Sequence, residues 1–345
     1  MRRLTAFSAI AAILLLAGCF FDQKPDVVRL SGKAMGTTYN IVAIGEELDE
    51  SVLAAEVDKV LASMNDSLSN WNPNSEVSRF SKSESLAPQP ISDDFLAVMA
   101  GANEVHERSG GAFDVTLGPV IVLWGFGDRE PTDPIPSDEA IAAALAEVGQ
   151  TRLLTLDPTA KTLTKNQPNV NVYVAAIAKG YGIDRIAAAL AAKGAEHYMV
   201  EIGGDLVTRG VNEKGEPWRI GIETPEPGMQ EAIEKIIPVS NLGMATSGDY
   251  RNFFEQDGKR YSHIIDATTG RPITHATTSV TVLAEDAMMA DAWATAMLAL
   301  GAERGMEIAK TYNLAVYFIS RDVNGGEGAY TSAASPRFTE LTAKE

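Results

Sequence analysis

A single cysteine, Cys19, stands among 345 residues. No disulfide can therefore form within the chain, and the fold must be held by its core alone, even in a compartment that permits disulfides. Histidine is nearly as scarce, at His106, His197, His263 and His275. A general base working near neutral pH has few candidates, because only imidazole titrates there unaided, at about 6.5. Positive charge is also short. Lys and Arg number 29 against 46 Asp and Glu, a net charge of −17, which argues against nucleic acid as a partner. An anionic ligand must then be held by a local device, such as a metal ion or helix N-termini. Internal repeats and low-complexity tracts are missing too.

The apolar run Leu4 to Leu16 is too short to span a bilayer comfortably. Arg2 and Arg3 precede it and Leu16–Ala17–Gly18–Cys19 closes it, so residues 1–18 read as a lipoprotein signal peptide ending in a lipobox. Cleavage before Cys19 leaves that thiol ready for lipidation, and several acyl chains such as palmitate give stable anchoring where one would be marginal. The expected location is the periplasmic side of a bacterial membrane, with the inner membrane favoured and the outer left open. Residues 19–30 then form a lipidated tether, and residues 31–345 are long enough for one catalytic unit with a substantial core.

Apolar spacing predicts amphipathic helices over Glu50–Asn70, Ser92–Arg108, Ser137–Val148, Ala176–Lys193 and Asp286–Leu300. Ser92 is the expected N-cap of the second, with Asp93 and Asp94 in its first turn. Strand patterns fall at Thr38–Ile44, Thr151–Leu156, Tyr198–Ile202, Trp218–Glu223, Ile236–Val239, Ser279–Leu283 and Leu314–Ser320. Helices and strands intersperse without a regular βαβ repeat, which predicts an α+β (mixed α/β) fold with mixed sheets and flanking helices.

Several segments carry residues suited to chemistry. His263, in Ser262–His263–Ile264–Ile265–Asp266, follows the small hydroxylic run Ala245–Thr246–Ser247–Gly248 and is the best-placed candidate if a general base is needed; taken alone, a surface or core histidine with no chemical role is the favoured reading. Gly110 to Thr116 holds two glycines, an aromatic ring at Phe113 and a carboxylate at Asp114 that could accept from a ribose or ring N–H; a helix C-cap leading into a core strand explains it equally well. Lys179 near a helix start could reach a phosphate, or could be a surface lysine on a core helix. Asp291 and Thr295 are four apart on a predicted helix, so carboxylate and hydroxyl project from one face and make a start for octahedral Mg²⁺. The apolar residues around them imply that Asp291 is buried and needs a partner.

In order, MGTTY (35–39), SLSNWNPNSEVSRF (67–80), GAFDVTLGPVIVLWGFG (111–127), AAIAKGYGID (175–184), IGGDL (202–206), WRIGIETP (218–225), ATSGDYRNF (245–253), YSHIIDATTGRP (261–272) and ADAWATAMLALG (290–301) resemble the ApbE family of FAD:protein FMN transferases. The resemblance spans nearly all of the mature chain. It implies that FAD is the substrate, bound with Mg²⁺ at its pyrophosphate, and that a threonine or serine hydroxyl of an acceptor protein attacks the FMN-side phosphorus and releases AMP. By the same resemblance His263 is the base, and the Ala176 carbonyl, Asp291 and Thr295 hold Mg²⁺. Met35, Trp71, Ala112, Phe113, Asp114, Lys179 and Ile264 line the FAD site, with Thr246 and Ser247 donating to phosphate or flavin. The implied acceptors are periplasm-facing subunits of membrane redox complexes.

Three positions depart from the family pattern. Tyr173 stands where an aspartate usually contacts FAD, Ala267 replaces the proline of H-I-I-D-P, and Ala294 replaces an acidic residue found in some members. An Mg²⁺-dependent FAD pyrophosphatase and a non-catalytic flavin-binding lipoprotein are the competing expectations.

Overall fold

The structure, a computed structural model, describes residues 25–126, 134–225, 233–250, 253–322, 324–325 and 328–343. Its main sheet has eight strands that follow one another across the sheet in chain order: β1 (Asp26–Ala34), β2 (Thr37–Gly45), β3 (Ala195–Ile202), β4 (Asp205–Arg209), β5 (Gly243–Gly248), β6 (Thr277–Ala284), β7 (Ala315–Arg321) and β8 (Tyr330–Ala334). Among the described residues every strand pairing is antiparallel. The expected α+β class holds, with antiparallel rather than mixed sheets.

Two-residue turns fix the register of two of the hairpins. Met35 (φ 49°) and Gly36 (φ 78°) join β1 to β2, while Gly203 (φ 59°) and Gly204 (φ 96°) join β3 to β4. Positive φ at both central residues matches the right-handed twist of the strands. One turn lifts Met35 to a hairpin tip, and the other delivers Asp205 at the first position of β4.

Long excursions leave this meander and cover its faces. Between β2 and β3 run α1 (Glu50–Leu68), α2 (Asp93–Arg108), α3 (Gly118–Trp124), α4 (Asp138–Ala146) and α5 (Ala175–Ala191). Between β6 and β7 runs α6 (Ala287–Thr311). Helices α1, α2, α5 and α6 share one large core with the sheet. A hairpin of Trp218–Glu223 with Ile233–Val239 and the short helix Pro336–Thr342 cover the opposite face with a second core. Covered on both sides, β6 is buried along nearly its whole length, as its β-branched run allows.

Helix boundaries follow from capping. Asp49 accepts the amides of Ser51 and Val52, Ser92 that of Phe95, Ser137 that of Ala140, and Asp286 that of Met289. Helix α6 extends beyond the expected Leu300 to Thr311 by breaking at Gly301 (φ 75°, ψ 169°). The Thr277 hydroxyl caps the second part through the Ala302 amide at 2.9 Å.

Other expectations need correction. The proposed tether overlaps β1, because Asp26 to Leu30 already pair with β2. The expected strand Thr151–Leu156 begins as a helical turn, Gln150–Leu153, and only Leu154–Asp157 is strand. The Asp114 carboxylate accepts the Gln150 amide at 2.9 Å and so starts the turn against the local strand pattern. The glycine-rich stretch after Gly110 leads into α3, not into a core strand. Cys19 and the signal peptide lie outside the described residues. Among the described residues no helix is long and apolar enough to cross a membrane.

Helices α5 and α6 touch at their backbones. A Cβ on Gly180 would lie 2.2 Å from the Ala287 carbonyl oxygen, whereas one on Gly101 would meet only flexible side-chain ends at 3.0 Å and beyond. Gly180→Ala is expected to destabilise the protein by about 2 kcal/mol or more by forcing the helices apart. Gly101→Ala is the control with the smaller effect, and urea unfolding midpoints of the two variants make the comparison.

Candidate active site

The contact between α5 and α6 is held by carboxylates reaching both ways. Asp184 on α5 accepts the amides of Ala287 and Met288 at 2.9 and 2.8 Å, at the start of α6. Asp291 on α6 accepts the Gly180 amide at 3.0 Å, near the start of α5. Asp291 is buried and Asp184 half-buried, and their removal from water raises both pKa values to about 7. The nearby Asp205 carboxylate raises Asp291 further, while the positive charge of Lys179 opposes the rise. Lys179 itself pairs with Asp205, Nζ to Oδ2 at 2.7 Å. Asp205 in turn accepts the Thr246 amide at 3.1 Å, which ties β4 to β5.

A cavity of about 430 Å³ opens above this cluster. Its wall brings together Ala112, Phe113, Asp114, Ala176, Lys179, Thr246, Ser247, His263, Ile264, Asp291 and Thr295, all expected from the sequence, and adds Tyr173. Asp291 and Thr295 do share one helix face, and Ser247 lies beside them, with its hydroxyl 3.3 Å from that of Thr295. The neighbouring Thr246 hydroxyl turns instead to Thr281 at 2.9 Å.

Met35 and Trp71 line a second cavity of about 350 Å³, and Ala175 and Lys179 belong to both walls. Trp71 is 75% exposed, a large apolar ring left in water at a cavity edge. Its ring meets that of Tyr173 edge-on at 6.0 Å. Tyr173 thus stands between the two spaces, and burial pushes its phenol up, so it is neutral near pH 7.

The structure narrows two of the expected roles. Both oxygens of Asp114 already accept bonds, from Thr116 at 2.7 Å and Gln150 at 2.9 Å, so it acts mainly to build its loop. Phe113 is 2% exposed, its ring in the core and its carbonyl 2.7 Å from His106 Nδ1.

His263 enters from the end of the hairpin Phe253–Gln256/Lys259–Ser262. The hairpin is stiffened by rings: Phe254 stacks on Tyr261 at 4.9 Å, Trp124 lies against Tyr261 at 5.7 Å, and Phe126 meets His263 edge-on at 6.4 Å. Polar anchors fix it to the sheet. Buried Asp249 takes Arg321 at 2.7 Å, and Arg260 of the hairpin donates to the Asp249 carbonyl at 2.6 Å. Sequence reasoning missed Asp249 and Asp205. For Asp205 a signal existed, since an acid directly after a two-glycine turn opens a strand that the core must cover.

With the geometry in place, the comparisons identify the family. The ApbE family model matches residues 35–318. The chain is 44% identical over 330 residues to the FAD:protein FMN transferase of Vibrio cholerae, covering 95% of this chain and 97% of that one. It is 35% identical over 351 residues to that of Escherichia coli, covering 99% and 98%. The solved flavin transferase ApbE from Vibrio cholerae superimposes with a TM-score of 0.82 at 41% identity, over 92% of this chain and 99% of that one. The flavinyl transferase ApbE of Pseudomonas stutzeri, in its apo form, gives 0.82 at 34% identity, over 93% and 98%. The chain belongs to the ApbE family.

The pKa shift of Asp184 predicts a pH-dependent stability. An acid raised in the folded state stabilises below its unfolded value near 3.8 and loses that contribution as pH rises to about 7. Between roughly pH 5 and pH 8 the unfolding free energy of the ligand-free protein is therefore expected to fall, by about 2 kcal/mol from this group. Asp184→Asn should flatten the decline, which denaturant titrations at the two pH values measure.

Proposed function

We propose that the chain transfers FMN from FAD to a threonine or serine hydroxyl of an acceptor protein and releases AMP. The observation that carries this reading is one cavity whose lining joins His263, at the end of its hairpin, with Asp291, Thr295 and Ser247. The names of the family's characterised members as FAD:protein FMN transferases support it.

Two neighbouring cavities that share Lys179 and Ala175 in their walls give room for the two halves of a dinucleotide. The exposed ring of Trp71, with Tyr173 against it, suits a planar heterocycle. His263 takes the proton of the acceptor hydroxyl as that oxygen bonds to the FMN-side phosphorus. The bond from that phosphorus to the AMP oxygen breaks, and AMP departs with the electron pair. The aromatic packing of the hairpin and the Asp249–Arg260 contact hold the imidazole in place while this occurs.

A divalent cation fits beside Asp291 and Thr295. Asp291 is buried with its charge only partly offset, by the Gly180 amide and by a lysine, Lys179, that it shares with Asp205. A carboxylate, the Thr295 hydroxyl and the Ala176 carbonyl are hard oxygen donors of the kind Mg²⁺ prefers. Among the described residues no group of three or more His, Cys, Asp or Glu could hold a metal, so water and phosphate would supply the remaining positions, as is usual for Mg²⁺. When bound there, Mg²⁺ would neutralise charge on the phosphoryl and departing AMP oxygens. The lipobox at Leu16–Cys19 supports anchoring at the periplasmic face of a membrane, facing the redox-complex subunits expected as acceptors.

The test is to incubate the enzyme with FAD, Mg²⁺ and a soluble acceptor domain, denature the acceptor and measure flavin fluorescence on it. Labelled acceptor is expected. Free FMN without labelling would instead indicate a pyrophosphatase, and intact retained FAD a binding protein. His263→Gly should abolish labelling with FAD still bound, and labelling at the normal rate by this variant would remove the base assignment.

A further inference from the structure

Placing FAD in the two neighbouring cavities leaves another without a role. It measures about 620 Å³ and lies beyond the short hairpin Ile265–Asp266/Arg271–Pro272 that directly follows His263. Its walls are that hairpin, the segment through His275, and α6 around the break at Gly301. Ala299 lines both this groove and the catalytic cavity. It stands one helical turn after Thr295 on the same face of α6, so the groove adjoins the place where base and phosphorus meet.

His275 is the unexplained group in this wall. Both its ring nitrogens are buried, and among the described residues neither has a hydrogen-bond partner. Buried polar atoms rarely stay unmatched without a reason. The helix break makes room for the ring, since a Cβ on Gly301 would come within 2.7 Å of it. A neutral imidazole offers one donor and one acceptor, which is what an extended main chain offers in return. The groove carries charges of both signs, Asp266 and Glu303 with Arg271 and Arg304, which suits a polypeptide better than a polyanion.

We propose that this groove receives the acceptor polypeptide, an extended segment that bonds His275 through its main chain and presents its hydroxyl past Ala299 to His263. The inference rests on the transfer reaction above and adds where the protein substrate enters: through a groove that shares Ala299 with the catalytic cavity and no lining residue with the second one. In the step it serves, the acceptor oxygen bonds to phosphorus, its proton passes to His263, and AMP leaves with the electrons of the broken bond.

The groove can be blocked without touching the FAD cavities. Thr274 is exposed and lines only this groove among the three cavities. The full-length enzyme in detergent is assayed with FAD, Mg²⁺ and, as acceptor, a soluble domain of a redox-complex subunit that carries no flavin. Thr274→Trp should raise the KM for the acceptor at least about tenfold while FAD affinity, read by flavin fluorescence quenching, stays within about twofold. His275→Ala, which removes the main-chain contact rather than blocking the mouth, should raise the same KM. An unchanged acceptor KM in both variants, or a loss of FAD affinity that matches the loss of labelling, would overturn the groove assignment. Failure of the unaltered enzyme to label any acceptor would instead overturn the transfer reading, and this inference with it.

Discussion

Two carboxylates on neighbouring helices each reach across to the other helix's backbone, Asp184 from α5 to the start of α6 and Asp291 from α6 to Gly180. The exchange is possible only because the helices approach at a glycine, where any side chain would strike the Ala287 carbonyl. Asp184 satisfies amides that the start of α6 leaves without an internal partner, while Asp291 reaches an amide one turn inside α5. The site is built on this clasp. It sets Ala176 and Lys179 on one helix against Asp291 and Thr295 on the other, and Asp205 joins the cluster from a turn that the sheet holds.

That arrangement gathers more negative charge than it neutralises. Two buried carboxylates, Asp205 and Asp291, stand near one lysine, and the closer pair is Lys179 with Asp205. Burying a charge without a partner is costly, so in the ligand-free protein Asp291 takes up a proton more readily than an ordinary aspartate. A cation in the cavity would reverse this preference. The raised proton affinity of Asp291 and the function proposed for it therefore have one origin, a carboxylate buried beside more negative than positive charge. The His263 part of the lining is different in kind. His263 rests on ring packing and on the Asp249 anchor, which hold its hairpin without placing a charge beside the cavity.

Much of this was legible in the chain where the cause is local. The helix at Asp93–Arg108 starts where Ser92 caps it, and the strand Trp218–Glu223 falls where alternation puts it. The four-residue spacing of Asp291 and Thr295 put both on the cavity. What stayed hidden depends on partners distant in sequence. Strand β1 is polar on alternate positions and reads as a tether until β2 pairs with it. The turn at Gln150 forms because Asp114 reaches it from 36 residues away. The contact of Tyr173 with Trp71, and the diversion of Lys179 to Asp205, have no trace in spacing or composition. Local rules thus named most of the residues on the cavity, while tertiary contacts decided which of their polar atoms remain for a ligand.

The central claim, that the clasp presents Asp291 and Thr295 to a metal at the phosphate end of FAD, is tested most directly by crystals of the protein grown with FAD and Mn²⁺ in place of Mg²⁺. Anomalous scattering then locates the ion without reference to activity. The account predicts a peak between the Asp291 carboxylate and the Thr295 hydroxyl, against the pyrophosphate of an ordered FAD. Ordered FAD with no peak there, or with its peak at another group of side chains, would contradict it.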